Sequence, residues 1–425
     1  IMGDVSSKLM AQFADNLNQM IDEQGDETPP PATDDTATDD TVTIRVAQSE
    51  MGEGVFTSMP MIVAEELDCD WDKVQAEYAS ANRSIRENRV YQRMGTGGSG
   101  AVRRSREYLQ QAGASARERL KAAAAQEWGV SASECSTGDG RVFHRGSGRS
   151  LRYGQLAARA AQVELDSEPA IRKPSEFRLM GVPQKRLDVP AKVDGSATYG
   201  IDVRLPNMVY ATLVLCPVWG GTLSGVSNAR RVRGMKGVAQ VVELDDGVAV
   251  IADTFWHAKK AADALEPEWD LGEGAGTSSA EWLPQYQEAC REKGTEAHAE
   301  GDAYGALGDA ASTLEAEYSA PYLAHFCMEP VNCTVHIQED RVDVWTGAQN
   351  PESVLATTAE VTGRDPESVH VHNCFLGGGF GRRSMPDFVR KAVTIAKAAD
   401  APVQIIYTRE QDTATGWYRP QAAFR

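Results

Sequence analysis

The stretch Leu376-Gly377-Gly378-Gly379-Phe380-Gly381-Arg382-Arg383 places four glycines and one aromatic in five consecutive positions. Such a run buries little apolar surface, and glycine costs backbone entropy on folding. The cluster therefore marks a backbone that must take φ > 0 or approach something closely. Val369 to Phe375 before it alternates like a strand, and Asp387 to Ala399 after it reads as a helix. A strand, a glycine loop and a helix together turn backbone N–H groups outward, which makes a cradle for an anion or a cofactor. A tight structural turn is the other reading. No Gly-Lys-Ser/Thr follows, so the loop is not a Walker A, and three consecutive glycines break the dinucleotide fingerprint.

Two more glycine clusters invite the same question. Glu50-Met51-Gly52-Glu53-Gly54 is a turn between a strand predicted over Thr41 to Val46 and a helix over Phe56 to Leu67. Gly95-Thr96-Gly97-Gly98-Ser99-Gly100 leads into a helix predicted from Ala101 to about Trp128. Ser99 stands where a hydroxyl caps that helix, whose first N–H groups face whatever lies at its start.

Other chemistry-bearing residues read more blandly. His370 and His372 share one face of a strand, but no third ligand is nearby, so a metal is disfavoured. His325 and Glu329 are four apart, but Pro330 argues against a metal-binding helix, and Met328 is expected in the core. Asp34-Asp35 and Asp39-Asp40 lack the spacing of a calcium loop. Glu65 and Glu66 are adjacent on a helix and do not face each other, which is poor geometry for paired acid–base work. None of the seven cysteines forms a C-x-x-C pair, so cluster or zinc ligation within the chain is not expected, and buried reduced thiols are.

The elements that must position these residues fall into segments. A chain of 425 residues holds about two to four domains. Residues 1–24 read as an amphipathic helix of uncertain origin, and residues 25–40 as a disordered, acidic and proline-rich linker. Residues 41–180 form one segment, loop-rich from about 130. Residues 181–270 form a smaller α+β domain, with strands in Ser196 to Leu215, Gly237 to Leu244 and Val248 to Ala252, then a helix over Thr254 to Leu265. Residues 271–425 carry a helix near Glu281 to Lys293, strands over Thr313 to Tyr318, Cys333 to Ile337 and Arg341 to Trp345, and a helix over Pro351 to Thr362. The fold class is α+β, multidomain, with mixed sheets and helices. The formal charge of -18 argues against nucleic acid and anionic membrane surfaces as partners. No apolar run is long enough for a transmembrane helix.

Several motifs occur together and in order: Glu50-Met51-Gly52-Glu53-Gly54, Gly97-Gly98-Ser99, Arg186-Leu187-Asp188-Val189-Pro190-Ala191-Lys192-Val193-Asp194-Gly195, His325-Phe326-Cys327-Met328-Glu329-Pro330, Ala348-Gln349-Asn350-Pro351 and the loop at Gly378. The set resembles the large subunit of the molybdenum hydroxylases, the xanthine dehydrogenase and aldehyde oxidoreductase family. Within it the likeness is greatest to the branch of isoquinoline 1-oxidoreductase beta subunits, nicotinate dehydrogenases and membrane-linked aldehyde dehydrogenases. The resemblance covers about Thr41 to Arg425.

It implies a molybdopterin cofactor, in bacteria commonly the cytosine dinucleotide form, whose own dithiolene sulfurs hold molybdenum, so no protein metal ligand is expected. It implies oxidation of an aldehyde or N-heteroaromatic substrate, with water as the oxygen source. Electrons would pass to [2Fe-2S] clusters on a small iron–sulfur subunit, then to a cytochrome c acceptor, in a periplasmic or membrane-associated complex. By the same resemblance Gln349 matches the glutamine that hydrogen-bonds the apical oxo ligand. Gly378, Gly379, Phe380, Gly381 and Arg382 match the loop beside the metal. Gly97, Gly98, Ser99, Gly100, Ala101 and Val102 match backbone donors to the pterin and its phosphates. Gly52-Glu53-Gly54 matches a Gly-Gln-Gly turn, with Glu53 in place of the amide. A carboxylate donates no hydrogen bond unless protonated. The family chain continues well beyond the motif that Gly416 to Pro420 resembles, and its catalytic glutamate lies far downstream. The expectation is thus an N-terminal part of the catalytic subunit, or one product of a split gene, with a second polypeptide carrying the rest and with the catalytic base outside this chain. A non-catalytic binding or assembly protein that keeps the fold is the alternative.

Overall fold

A computed structural model describes residues 40–425. The expected helix over 1–24, and all of the expected linker except Asp40, lie outside the described residues. The chain forms two compact units. One comprises the residues up to Leu205 together with Cys333–Val393, and the other Pro206–Asn332 with Thr394–Arg425. These boundaries differ from the segments read along the sequence, because residues 333–393 fold with the N-terminal part rather than with their chain neighbours.

In the first unit, β1 (Val42–Val46) pairs in parallel with β2 (Val74–Tyr78), and α1 (Val55–Leu67) crosses between them. The long helix α2 (Ala101–Trp128) packs on α1. Gly113 permits that approach, since a Cβ there would stand 2.5 Å from the Val63 carbonyl oxygen. The apolar face beneath, from Ile44, Leu67 and Val74 to Leu120, Ala123 and Leu156, is a continuous core.

The region expected to be loop-rich contains an antiparallel sheet of β3 (Cys135–Gly138), β4 (Arg141–His144) and β5 (Ser150–Arg152), then a helix over Tyr153–Ala160. Strands of three and four residues carry too little alternation to register as a period. Later in the unit, β6 (Asn332–Ile337) and β7 (Val342–Thr346) are antiparallel, and β8 (Val369–Asn373) joins β7 in parallel. Helix α3 (Pro351–Thr362) connects β7 to β8, and α4 (Asp387–Ala396) follows the glycine loop.

Glu65 and Glu66 on α1 are fully buried, and they are anchors. The Glu65 carboxylate accepts from the backbone N–H groups of Arg178, Leu179 and Met180 at 2.6–3.1 Å and from the Arg172 guanidinium at 3.2 Å. Burial raises its pKa, but these donors outweigh burial and leave it below the ordinary value. Glu66 accepts from Gln110, Arg117 and the Arg172 backbone. Two carboxylates thus clamp the segment before Lys185 onto α1 and α2.

The second unit is built on the strand Val209–Leu215. It lies between Val403–Ile406, parallel, and Gly247–Ala252, antiparallel, with Val238–Leu244 antiparallel beyond. A helix at Phe255–Asp263, capped by the Thr254 hydroxyl, packs into a core with Val232, Val241, Val248 and Val250. The strand expected over Thr313 to Tyr318 is present only as Tyr318–Ala320, paired with Ala422–Phe424. Alternation alone is not enough there, since Leu314 is 97% exposed with no core to meet. Met328, expected in the core, is also exposed, at 83%.

Candidate functional site

The Glu50–Gly54 turn closes on the start of α1. The buried Glu50 side chain gathers the N–H groups of Gly52 (2.7 Å), Gly54 (3.2 Å) and Phe56 (3.0 Å), so one carboxylate serves donors that a helix start leaves open. Arg186 donates to Glu50 at 3.1 Å and to the Gly52 carbonyl at 2.8 Å. Asp188 holds Arg186 through both carboxylate oxygens and takes Lys192 at 2.6 Å. Burial pushes the Asp188 carboxyl up, but Arg186 and Lys192 outweigh it and hold the pKa at about 2. The Arg186–Gly195 motif is therefore the brace of the turn. Lys192 also lies over the Phe375 ring, 5.1 Å from its centroid. Glu53 projects from the turn and accepts the Met51 N–H at 2.9 Å. Loss of water around it raises its pKa above the ordinary carboxylate value, against that hydrogen bond and with the charge of Glu50 adding to the rise.

Gln349 is the hub. Its amide is 2% exposed; Oε1 accepts the Gly381 N–H at 2.9 Å and Nε2 donates to the Thr96 carbonyl at 3.0 Å. Its backbone is held the same way, with its N–H on the Arg383 carbonyl and its carbonyl taking the Thr96 N–H. Thr96 exchanges hydrogen bonds with Ser49, and Ser49 accepts from Asn373. The Leu376 N–H reaches the Glu50 carbonyl at 3.4 Å. The three glycine clusters are thus laced into one structure within the first unit.

The glycine loop has two kinds of glycine. Gly378 (φ 100) and Gly381 (φ 106) hold left-handed backbone, and Phe380 does so as well (φ 54), with its ring exposed. Gly379 differs from the reading that the glycine spacing suggests, because its φ is not positive. A Cβ there would stand 2.5 Å from Met51 Sδ and 2.7 Å from Gln349 Oε1. Its constraint is close approach to two other candidate residues. Arg382 is buried and forms a bidentate pair with Asp387 at 2.9 and 3.1 Å.

At the second loop, Ser99 does not cap α2. Gly100 occupies that position, and Ser99 takes φ 50 as part of the turn with Gly98. Arg104 folds back to donate to the Gly97 carbonyl at 3.0 Å. With no acidic residue in its first turn, α2 begins as a run of N–H donors at Ala101 and Val102. Behind the loops a cleft of about 840 Å³ is lined by Phe56, Tyr78, Asp188, Trp345 and Phe375.

The remaining candidates have partners of their own. The His372 Nε2–H donates to Asp343 Oδ1 (2.7 Å) and its ring stacks on Trp345, while burial lowers the His370 pKa. Glu329 accepts from Asn332 at 2.8 Å. All seven cysteines are free thiols, six of them buried. Among the described residues no three His, Cys, Asp or Glu gather as a metal site. Sequence reasoning passed over Ser49, Glu50 and Thr96 as working parts. The signal at Glu50 was present, an acid followed by glycines two and four residues on, whereas Thr96 acts only through partners distant in sequence.

Models of a family described as molybdopterin cofactor-binding domain match residues 19–200 and 286–424. The first range contains the turn at Glu50 and the loop at Gly97, and the second Gln349 and the loop at Gly378. The beta subunit of isoquinoline 1-oxidoreductase from Brevundimonas diminuta is 30% identical over 424 residues, covering 88% of this chain and 54% of that protein. A membrane-bound aldehyde dehydrogenase (pyrroloquinoline-quinone) of Gluconacetobacter polyoxogenes is 28% identical, covering 92% and 51%. A nicotinate dehydrogenase subunit of Pseudomonas putida is 28% identical, covering 85% and 31%. The chain spans about half the length of the first two relatives and less of the third.

Proposed function

We propose, for a chain that belongs to the molybdenum hydroxylase large-subunit family, that it forms the molybdopterin-holding part of a hydroxylating dehydrogenase acting on an aldehyde or an N-heteroaromatic ring. The observation that supports this reading is the convergence of two glycine loops on one buried amide, Gln349, through Thr96 and Gly381, with Met51 of the third cluster beside Gly379.

The residues fit the group. An amide has two donor hydrogens, and Thr96 engages one of those on Gln349, which leaves the other for a cofactor oxygen. The N–H run at Ala101 and Val102 suits phosphate oxygens. Gly378, Gly379 and Gly381 carry no side chain, so the loop backbone lies close to Gln349 and Met51. When bound, the cofactor supplies two-electron oxidation of a carbon with oxygen from water. The chain's own residues hold and orient it: Gln349 is locked at both ends of its amide, Glu50 with Arg186 fixes the turn, and Arg382 fixes the loop through Asp387. Glu53 accepts the Met51 N–H and so stiffens the turn from within.

The cytosine dinucleotide form, an iron–sulfur subunit with [2Fe-2S] clusters, a cytochrome c acceptor, a polypeptide carrying the rest of the large subunit and a periplasmic or membrane-associated location complete the proposal. Two electrons per turnover need an exit, and the sequence has no cluster-type cysteine spacing. Purification through a tag on this chain, followed by molybdenum analysis, pterin fluorescence after oxidation and release of the nucleotide, tests it. Molybdenum, pterin and cytidine monophosphate in equal amounts are expected. A complex of native composition with no pterin overturns the reading.

A further inference from the structure

The cleft of about 840 Å³ lies within the first unit, and none of the residues placed around the cofactor lines it. Its lining includes every residue from Val74 to Ser80 and every residue from His370 to Phe375. Side chains alternate along a strand, so a cavity on one face of a sheet meets every second residue. Contact with consecutive residues places this cleft along strand edges instead. Both strands have such an edge, since among the described strands β2 pairs with β1 alone and β8 with β7 alone.

The hydrogen bonds show which backbone groups face the cleft. Along a strand the N–H and C=O of one residue point to one side, and those of the next residue to the other. The Cys374 N–H donates to the Thr346 carbonyl, on the β7 side, at 3.0 Å. Val371 and Asn373 therefore turn both groups to the opposite edge. That edge is closed at its two ends. Asn82 Nδ2 donates to the Val369 carbonyl at 2.9 Å, and the Phe375 N–H donates to the Thr198 carbonyl at 3.2 Å. On β2, the Ala79 N–H donates to the Val46 carbonyl at 2.9 Å, so Ala76 and Tyr78 turn their backbone groups away from β1. A strand running the length of β8 would need the blocked ends, whereas a short ligand needs only the gap between them.

The walls select the ligand. Phe56, Tyr78 and Phe375 form a cluster with ring centroids 4.6–5.9 Å apart, and Trp345 stacks on His372 at 4.6 Å. Such walls suit a flat ring. The acidic side chains on the lining are Glu77 and Asp188, and no Lys or Arg lines it among the described residues. A carboxylate or phosphate is disfavoured there, and a neutral molecule is not. The volume is that of a small-molecule site.

We infer that this cleft is a second ligand site, for a flat, neutral ring with adjacent N–H and C=O groups, a lactam. One such ring edge pairs with the N–H and C=O of a single strand residue, Val371 or Asn373 on β8 or Ala76 or Tyr78 on β2. The inference rests on the proposed function for its source of ligand. When an N-heteroaromatic ring is oxidised beside its nitrogen, one oxygen enters from water, two electrons and two protons leave, and the product is a lactam. An aldehyde would give a carboxylate, which the acidic walls disfavour. The ligand is therefore the reaction's own product, held apart from the cofactor residues. Pairing with β8 would steady the strand that runs through Phe375 into the glycine loop.

The test is calorimetric titration of 2-quinolone, N-methyl-2-quinolone, quinoline and benzoate into the full chain alone and into the complex purified through its tag. The lactam should bind both samples. The N-methyl lactam, which lacks the donor, should bind at least about tenfold more weakly, as should quinoline and benzoate. Hydrogen exchange of peptides over 74–80 and 369–376 should slow about tenfold or more when 2-quinolone is added, with 97–102 unchanged. Thr198→Trp, which fills the cleft from an exposed position, should keep the far-ultraviolet circular dichroism and lose the lactam. Equal binding of the N-methyl lactam overturns the inference, as does exchange unchanged over both strands or full binding by a folded Thr198→Trp chain. Binding only where pterin is present overturns it too, since the lactam then sits at the cofactor. Strands already protected in the complex before any lactam is added, and unchanged by it, mean that a polypeptide strand fills the cleft, which also overturns it. Pterin content of the same samples separates the two readings. A complex that holds pterin while the chain binds no lactam rejects only the second site, whereas a complex of native composition without pterin rejects the function.

Discussion

The two units bury and expose opposite things. The first hides Glu50, Glu65, Glu66, Asp188, Gln349, Arg382 and Arg383, and satisfies the carboxylates and the amide with backbone donors and guanidinium groups. The second has few buried polar side chains, and it displays Trp219, Tyr318, Trp417 and Phe424 to solvent. A buried charge is stabilising only while its partners hold, so the first unit is precise and intolerant. An exposed aromatic contributes little until something covers it, so the second unit is permissive by itself. Buried and mutually satisfied polar groups mark the first unit, and exposed aromatic side chains the second.

That contrast can be broken at several points. The largest expected effect is at Glu65. Glu65→Ala strands three backbone N–H groups and part of Arg172, and should cost about 3–5 kcal/mol in urea unfolding. A loss below about 1 kcal/mol would show that the buried carboxylate is not an anchor. Next comes Gln349→Ala, expected to lower turnover of the loaded complex by about 10²–10³ with molybdenum retained. Full turnover at full occupancy would remove Gln349 from the site. Gly379→Val should overpack Met51 and Gln349, costing about 1–3 kcal/mol and emptying the folded molecules of pterin. Full pterin per folded molecule would make the loop an ordinary turn.

A smaller effect is a matter of pH. The Asp188 carboxyl titrates lower in the folded chain than in the unfolded one. Its stabilisation is therefore complete above about pH 5 and drains away as pH falls towards 2. Asp188→Asn should flatten that part of the curve of urea midpoint against pH, and an unchanged slope would show that the brace at Arg186 carries no linkage. The smallest effects belong to the second unit. Tyr318→Ser and Trp219→Ser should each move the stability of the chain alone by no more than about 0.5 kcal/mol. A cost of about 2 kcal/mol or more, that of emptying a core site, would mean that the aromatic surface already has a covering, and the comparison would fail.

Much of the first unit was legible in the sequence because its signals are local. The helix expected from Ala101 to about Trp128 has those bounds, and the glycine clusters and Gln349 do meet. Non-local causes were not legible. Whether Gly379 is glycine for its φ or for its neighbours depends on Met51, far away in sequence. Ser99 had the right chemistry for a cap, but the turn needed a left-handed residue there. Met328 and Leu314 look like core residues by type, and nothing in a single sequence says that the structure would leave them bare.

The hydrogen bond between Asn373 and Ser49 spans a sequence separation of 324. At about 5–20 residues per second a ribosome needs roughly 15–65 seconds to cover that interval. For most of it the Glu50 turn and the loop at Gly97 have been made, while Gln349 and the glycine loop that close them have not. The whole of residues 206–332 is translated in the meantime, without the strand Val403–Ile406 that completes its unit. Loop closure over such a distance is slow as well as late. A cofactor that depends on these contacts cannot be seated on the growing chain before residue 383 has emerged. Seating such a group on these contacts therefore comes after a long stretch of synthesis, and the N-terminal turns must be kept from misassociating until then.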